Sequence, residues 1–297
     1  MRFFKLPVLF GLAALLLSAV PASLYGEDGA AGLSPGTYVV FVSGERGDRS
    51  IVMMDSADGA PLLLADLPGA VDTQPAVGPQ GQLAWIRRNA GAWELMENGR
   101  IFSGGALHLS PAYMPDGTLT AAVSGESSTN IYAFGNGGKR LLVESGTDDL
   151  AVSPTFSPDG SQMAYVSNQG EWAQIFVTRP GQGNGRAISS GQVRNTDPRW
   201  SPTGEFIAFV TAEKDICLIR PDGSGRRQLT SNQGLNRGPA FSPDGRQIIF
   251  SSDRQGMNQL FVMNLDGSGQ RLLFPGLSAP QSQPVWTAVR PQIAPGH

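Results

Sequence analysis

The sequence predicts an all-β fold, a six-bladed β-propeller of four-stranded antiparallel blades closed by the C-terminal strand. Three observations predict it. Gly (38) and Pro (22) supply about a fifth of the 297 residues while apolar residues hold at 40%, the balance of short strands joined by tight turns. One phrase recurs: TFSPDGSQMAYVSNQG at 155–170 returns as AFSPDGRQIIFSSDRQG at 240–256. The recurrence has a period of 36 to 44 residues and each copy holds four strand-like runs, which is the signature of a propeller blade.

The first element is a leader. MRFFK is basic, LPVLFGLAALLLSAV is a run of fifteen apolar or small residues, and VPAS offers small residues for cleavage after Ala22. Residues 1–22 therefore read as a secretory signal peptide, the run being short for a bilayer-spanning helix. The mature chain is expected in the periplasm or outside the cell, without stable membrane insertion. Residues 23–36 form a short segment before the first strand.

Each repeat turns on a proline–glycine phrase: GPQG at 78–81, MPDG at 114–117, SPDG at 157–160, SPTG at 201–204 and SPDG at 242–245. Ser at the first position, Pro with its preset φ at the second and Gly at the fourth suit a type I turn between antiparallel strands. A second proline precedes each turn, at Pro75, Pro111, Pro154, Pro198 and Pro239, with a sixth at Pro284. Proline cannot donate to a ladder, so these strands belong at an edge, beside the central channel. The runs that follow (QMAYVS, FIAFVT, QIIFSS, then QIFVTR, ICLIRP, QLFVMN) read as second and third strands, and short runs such as AISS and QLTS as fourth strands.

The chain enters at TYVVFVS (37–43), a second strand without its own first, and leaves at QPVW (283–286), a first strand without its second. The orphans complete each other, giving six blades over 37–287 and a tail at 288–297. Trp172, Trp200 and Trp286 are expected to pack between or within blades, and Cys217 to be a small buried apolar residue.

Formal net charge is −3, and removing Arg2 and Lys5 with the leader takes it to −5; an acidic chain is a poor binder of nucleic acid. A single cysteine in an exported chain leaves no internal disulfide. Stability must come from packing, and a monomer is expected.

The phrases P-x-W/F-S-P-D-G, I-A-F-x-S and Q-L-F-V-M-N-L-D-G resemble the propeller repeats of the TolB family of the Tol-Pal envelope system. The resemblance covers 37–287. It implies a periplasmic protein-binding platform in cell-envelope integrity, whose partner is the peptidoglycan-associated lipoprotein Pal. In the family an α/β domain precedes the propeller; only 14 residues, 23–36, lie between the expected cleavage site and the first strand, so a propeller without that domain is expected. A family loop N-T-E-P-x-W is similar to Asn195-Thr196-Asp197-Pro198-Arg199-Trp200, which implies Thr196 as a partner contact with Arg194 and Asp197 beside it.

Propellers bind where loops converge at the channel mouth. The predicted partner-binding residues there are Asp72, Thr73, His108, Asp149, Arg194, Asn195, Thr196, Asp197, Asn236 and Arg237. They mix both charge signs with amides and hydroxyls, which suits a polar protein partner. No cofactor is expected. A zinc site needs three or four ligands, and the propeller holds one histidine, His108; calcium, which takes oxygen donors, is the ion to test for in the channel, at Asp72, Asp149 or Asp197. The alternative is a polysaccharide lyase or hydrolase acting in the channel, which requires a proton-transfer group there. Within 37–287, one His, few Lys and no adjacent carboxylate pair but Asp148-Asp149 give no catalytic constellation.

Overall fold

The computed structural model describes residues 33–45, 47–56, 59–135 and 137–293; the expected signal peptide lies outside them. The described chain is all-β. It forms six antiparallel sheets of four strands. Five sheets are continuous in the chain. The sixth, blade 1 here, has Gln281–Thr287 as its innermost strand, beside Tyr38–Ser43, Ser50–Asp55 and Pro61–Ala65. The innermost strands of blades 2 to 6 are Val71–Val77, His108–Tyr113, Ala151–Phe156, Thr196–Trp200 and Asn236–Phe241.

Why the second and third strands carry apolar residues on both faces follows from the ring. A blade has a neighbour on each side, so alternate residues of one strand face different blades and both faces must be apolar. Val39 and Phe41 pack against Ile249 and Val262 of blade 6, while Val40 and Val42 pack with Leu83 and Trp85 of blade 2. Ala164 and Val166 join Ile207 and Phe209; Met163 and Tyr165 join Ala122 and Ile131. Six apolar clusters fill the six interfaces between blades. Cys217 is fully buried in one of them.

The turns form as their residues require. In 157–160 the Gly160 amide donates to the Ser157 carbonyl (2.9 Å) and the Ser157 hydroxyl to Asp159 (2.6 Å); 242–245 repeats this, with Gly245 to Ser242 at 2.8 Å and Ser242 to Asp244 at 2.6 Å. Gly160 and Gly245 take φ +70° and +73°, which glycine adopts without a Cβ penalty. One expectation fails: Trp172 is 40% exposed, whereas Trp200 and Trp286 are buried. Trp172 stands between the second and third strands of blade 4, on a connection open to solvent instead of a strand face that a neighbouring blade covers.

Candidate functional site at the channel mouth

The innermost strands build the site, and each is broken in the same way. Pairing with the second strand shifts register at the proline: between Thr73 and Ala76, Leu109 and Ala112, Val152 and Thr155, Thr196 and Arg199, and Arg237 and Ala240. In blade 1 the shift falls where Val40 and Val42 meet Gln281–Thr287. The residue before each proline is left-handed: Gln74, Ser110, Ser153, Asp197, Gly238 and Gln283 have φ from +50° to +56°. A pre-proline residue ordinarily goes to the extended region. Here a β-bulge takes up the extra residue, and all six bulge residues line one central cavity of about 270 Å³.

Part of this ring is tied to itself. The Gln74 amide donates to Gln283 Oε1 (2.8 Å), the Ser110 amide to Gln74 Oε1 (2.6 Å), and the Ser110 and Ser153 hydroxyls lie 3.3 Å apart. These bonds stitch blades 1 to 4 around the channel. Blades 5 and 6 instead bring charge: Asp197, Arg199 and Arg237 line the cavity, with Arg49 from blade 1. Arg199 also lines the opposite mouth, where Pro79, Pro115, Pro158, Pro202 and Pro243 surround Trp200, Phe241 and Trp286. It therefore stands at the waist between the two ends. Burial pushes its guanidinium pKa down, and nearby Asp197 offsets this only partly.

Three residues before each proline the bulge returns the side chain to the interior, and the structure corrects four predicted contacts there. Asp72, His108, Asn195 and Asn236 are at most 2% exposed. Asp72 accepts from Trp85 Nε1 (3.0 Å) and from Arg87 Nε and Nη2 (2.8 and 2.7 Å). His108 Nδ1 meets the Ala106 carbonyl (2.9 Å), and burial lowers its pKa, more than that hydrogen bond raises it. Asn195 donates to Gln174 Oε1 (2.7 Å). Asn236 donates to the Lys214 carbonyl (3.0 Å) and accepts from Arg254 (3.0 Å). Gln281, the equivalent residue of blade 1, is likewise fully buried. Asp72, Asn195 and Asn236 fasten neighbouring segments together, His108 bonds within its own connection, and none of the four can touch a docked partner.

The others remain at the surface. Arg194 and Arg237 are exposed, and Thr73, Asp149, Thr196 and Asp197 half-buried. The carboxylates considered for calcium are not brought together: Asp72 is committed to Arg87 and Trp85, Asp197 faces the cavity beside Arg199, and Asp149 is not among the cavity's lining residues. Among the described residues no group of three or more His, Cys, Asp or Glu is placed to hold a metal. The sequence reading missed Gln74, Ser110, Ser153 and Arg199. For the first three the signal was a polar residue directly before the repeated proline; Arg199 instead directly follows Pro198.

The same repeats appear in known proteins. The TolB beta propeller domain model matches residues 100–289. A protein TolB homolog of Chlorobium luteolum is 34% identical over 265 residues, covering 86% of this chain and 60% of that protein. The Tol-Pal system protein TolB of Anaeromyxobacter dehalogenans is 33% identical over 129 residues, 40% of this chain and 29% of that one. The crystal structure of TolB from Acinetobacter baumannii superposes with a TM-score of 0.72 at 18% identity, covering 87% of this chain and 67% of that chain. The chain thus spans less than two thirds of the Chlorobium relative while matching it over nearly all of its own length. With six blades, their bulged proline strands and these matches in agreement, the chain belongs to the TolB β-propeller family.

Proposed function

We propose that this protein is a non-enzymatic, protein-binding platform of the Tol-Pal type, exported to the periplasm as a monomer, which holds a Pal-like peptidoglycan-associated lipoprotein over the channel mouth. What supports the reading is that Arg194 and Arg237 are exposed and Thr196 half-buried around the starts of the innermost strands of blades 5 and 6, in a chain 34% identical to a TolB homolog. A few such anchors supply most of the affinity and the surrounding face supplies complementarity. Thr196 also sits in the loop similar to the family's partner-contacting phrase. Catalysis in the channel is disfavoured by its lining: the residues of the upper cavity include no His, Tyr or Lys.

The test is to express the chain in a Gram-negative envelope, cross-link, and identify what co-purifies. A Pal-like lipoprotein, lost on replacing Thr196 and Arg237 together, supports the platform; recovery of the protein with no envelope partner overturns it.

A further inference from the structure

The channel carries positive charge that its own lining neutralises only in part. Three arginines (Arg49, Arg199 and Arg237) and one acid (Asp197) line the upper cavity, although the chain as a whole is acidic. The two ion pairs among the described residues lie elsewhere, at Arg87–Asp72 and Arg220–Glu205. Arg199 is the telling case. Its one hydrogen bond runs from Nη1 to the carbonyl of its own neighbour Pro198 (2.9 Å), leaving most of a five-donor fork unspent. Burial lowers its pKa from the ordinary arginine value, and the one nearby acid, Asp197, restores this only in part, as desolvation does to a cation that is not fully paired.

We propose that the channel binds a carboxylate group at Arg199, with Arg237 and Arg49 adding charge and Ser153 adding a neutral hydroxyl donor. A planar guanidinium fork matches a planar carboxylate through two parallel bonds. The cavity of about 270 Å³ has room for a small dicarboxylic acid as well as several waters, each of which takes roughly 30 Å³. The site rests on the channel geometry and is independent of which protein docks above it. The carboxylate comes from a free small acid or from an acidic side chain projected by a docked partner; both present the same atoms.

The experiment is calorimetric titration of the mature protein with acetate, succinate and citrate, chloride being adjusted to hold ionic strength constant, with inorganic phosphate as the comparison anion. Saturable binding of succinate at millimolar concentration is expected, weakened about tenfold or more in Arg199→Gln, as for loss of a charge-assisted hydrogen-bonded partner. Because Arg199 is half-buried inside the ring and its replacement risks the fold, two further variants carry the test: Arg237→Gln should weaken binding, and Asp197→Asn, which removes the one acid and keeps a residue tolerant of positive φ, should tighten it. No saturable heat with any carboxylate, affinity unchanged in both surface-reaching variants, or phosphate binding more tightly than every carboxylate would overturn the assignment. If succinate displaces a docked partner, the carboxylate is the partner's side chain; if both bind together, it is a free acid. Either result supports the site.

Discussion

Trp286 Nε1 donates to Thr37 Oγ1 at 3.0 Å, a hydrogen bond between residues 249 apart in the chain. It ties the last strand to the first and closes the ring. Trp286 also fills the cluster that holds blade 1 against blade 6. Trp286→Ala should therefore cost about 3–5 kcal/mol and Thr37→Val about 1 kcal/mol. Urea unfolding of both singles and the double checks this; additive losses would show that the bond contributes nothing to closure.

Asp72 tests the distinction between fastening and docking. Removing its carboxylate strands a mostly enclosed guanidinium on Arg87 and the Trp85 indole N–H. Breaking a buried pair by deleting one partner costs about 3–5 kcal/mol. Asp72→Ala should lower stability by that order in chemical denaturation while leaving partner affinity per folded molecule unchanged.

His108 gives the fold a pH dependence of definite sign. Its pKa in the folded protein is lowered, chiefly by burial, so the unfolded chain takes up the proton first as pH falls. Stability should be full above the ordinary imidazole value, about 6.5, and should decline below it until the folded pKa is passed. His108→Gln should flatten the decline in thermal scans across that window. The turn carboxylates act lower: Asp159, held down to about 2 first by the Ser157 hydroxyl, contributes stability that is lost only as pH falls from the ordinary carboxylate range toward that value.

Gly238 separates conformation from space. It is the one glycine in the left-handed ring, with φ +55°, and a Cβ there would meet Gln283 Cα at an ordinary 3.5 Å. Gly238→Ala should cost about 1–2 kcal/mol of backbone strain. At Gly185 a Cβ would lie 2.5 Å from the Val177 carbonyl oxygen, so Gly185→Ala should cost more. Equal midpoints in denaturant for the two variants would contradict this reading.

The architecture was legible because each blade restates the same turn and the same proline, and Pro284 marked the closing strand. What could not be read was the bulge. A proline normally sends the preceding residue to the extended region, so Gln74, Ser110 and Ser153 passed as ordinary strand positions, and Asp72, His108, Asn195 and Asn236 passed as loop residues on the face. The bulge turns the first group into the channel and the second into the blade walls. Aligning the repeats on the proline carries a trace of this: three residues before it stand Asp, His, Ala, Asn, Asn and Gln, mostly side chains able to satisfy buried backbone. Whether such a residue binds a partner or fastens a strand depends on burial, which spacing alone does not supply.

The most direct test of the platform is the Kd of the soluble domain of a Pal-type lipoprotein for the wild-type protein, for Arg194→Glu/Arg237→Glu, and for Asp72→Ala, measured by titration calorimetry on folded material. The exposed charge reversals should weaken binding about tenfold or more, as expected for anchors worth over 1 kcal/mol each, with their unfolding midpoints unchanged, and folded Asp72→Ala should bind like wild type. Affinity unchanged by the charge reversals, or lost in Asp72→Ala alone, would contradict the platform reading.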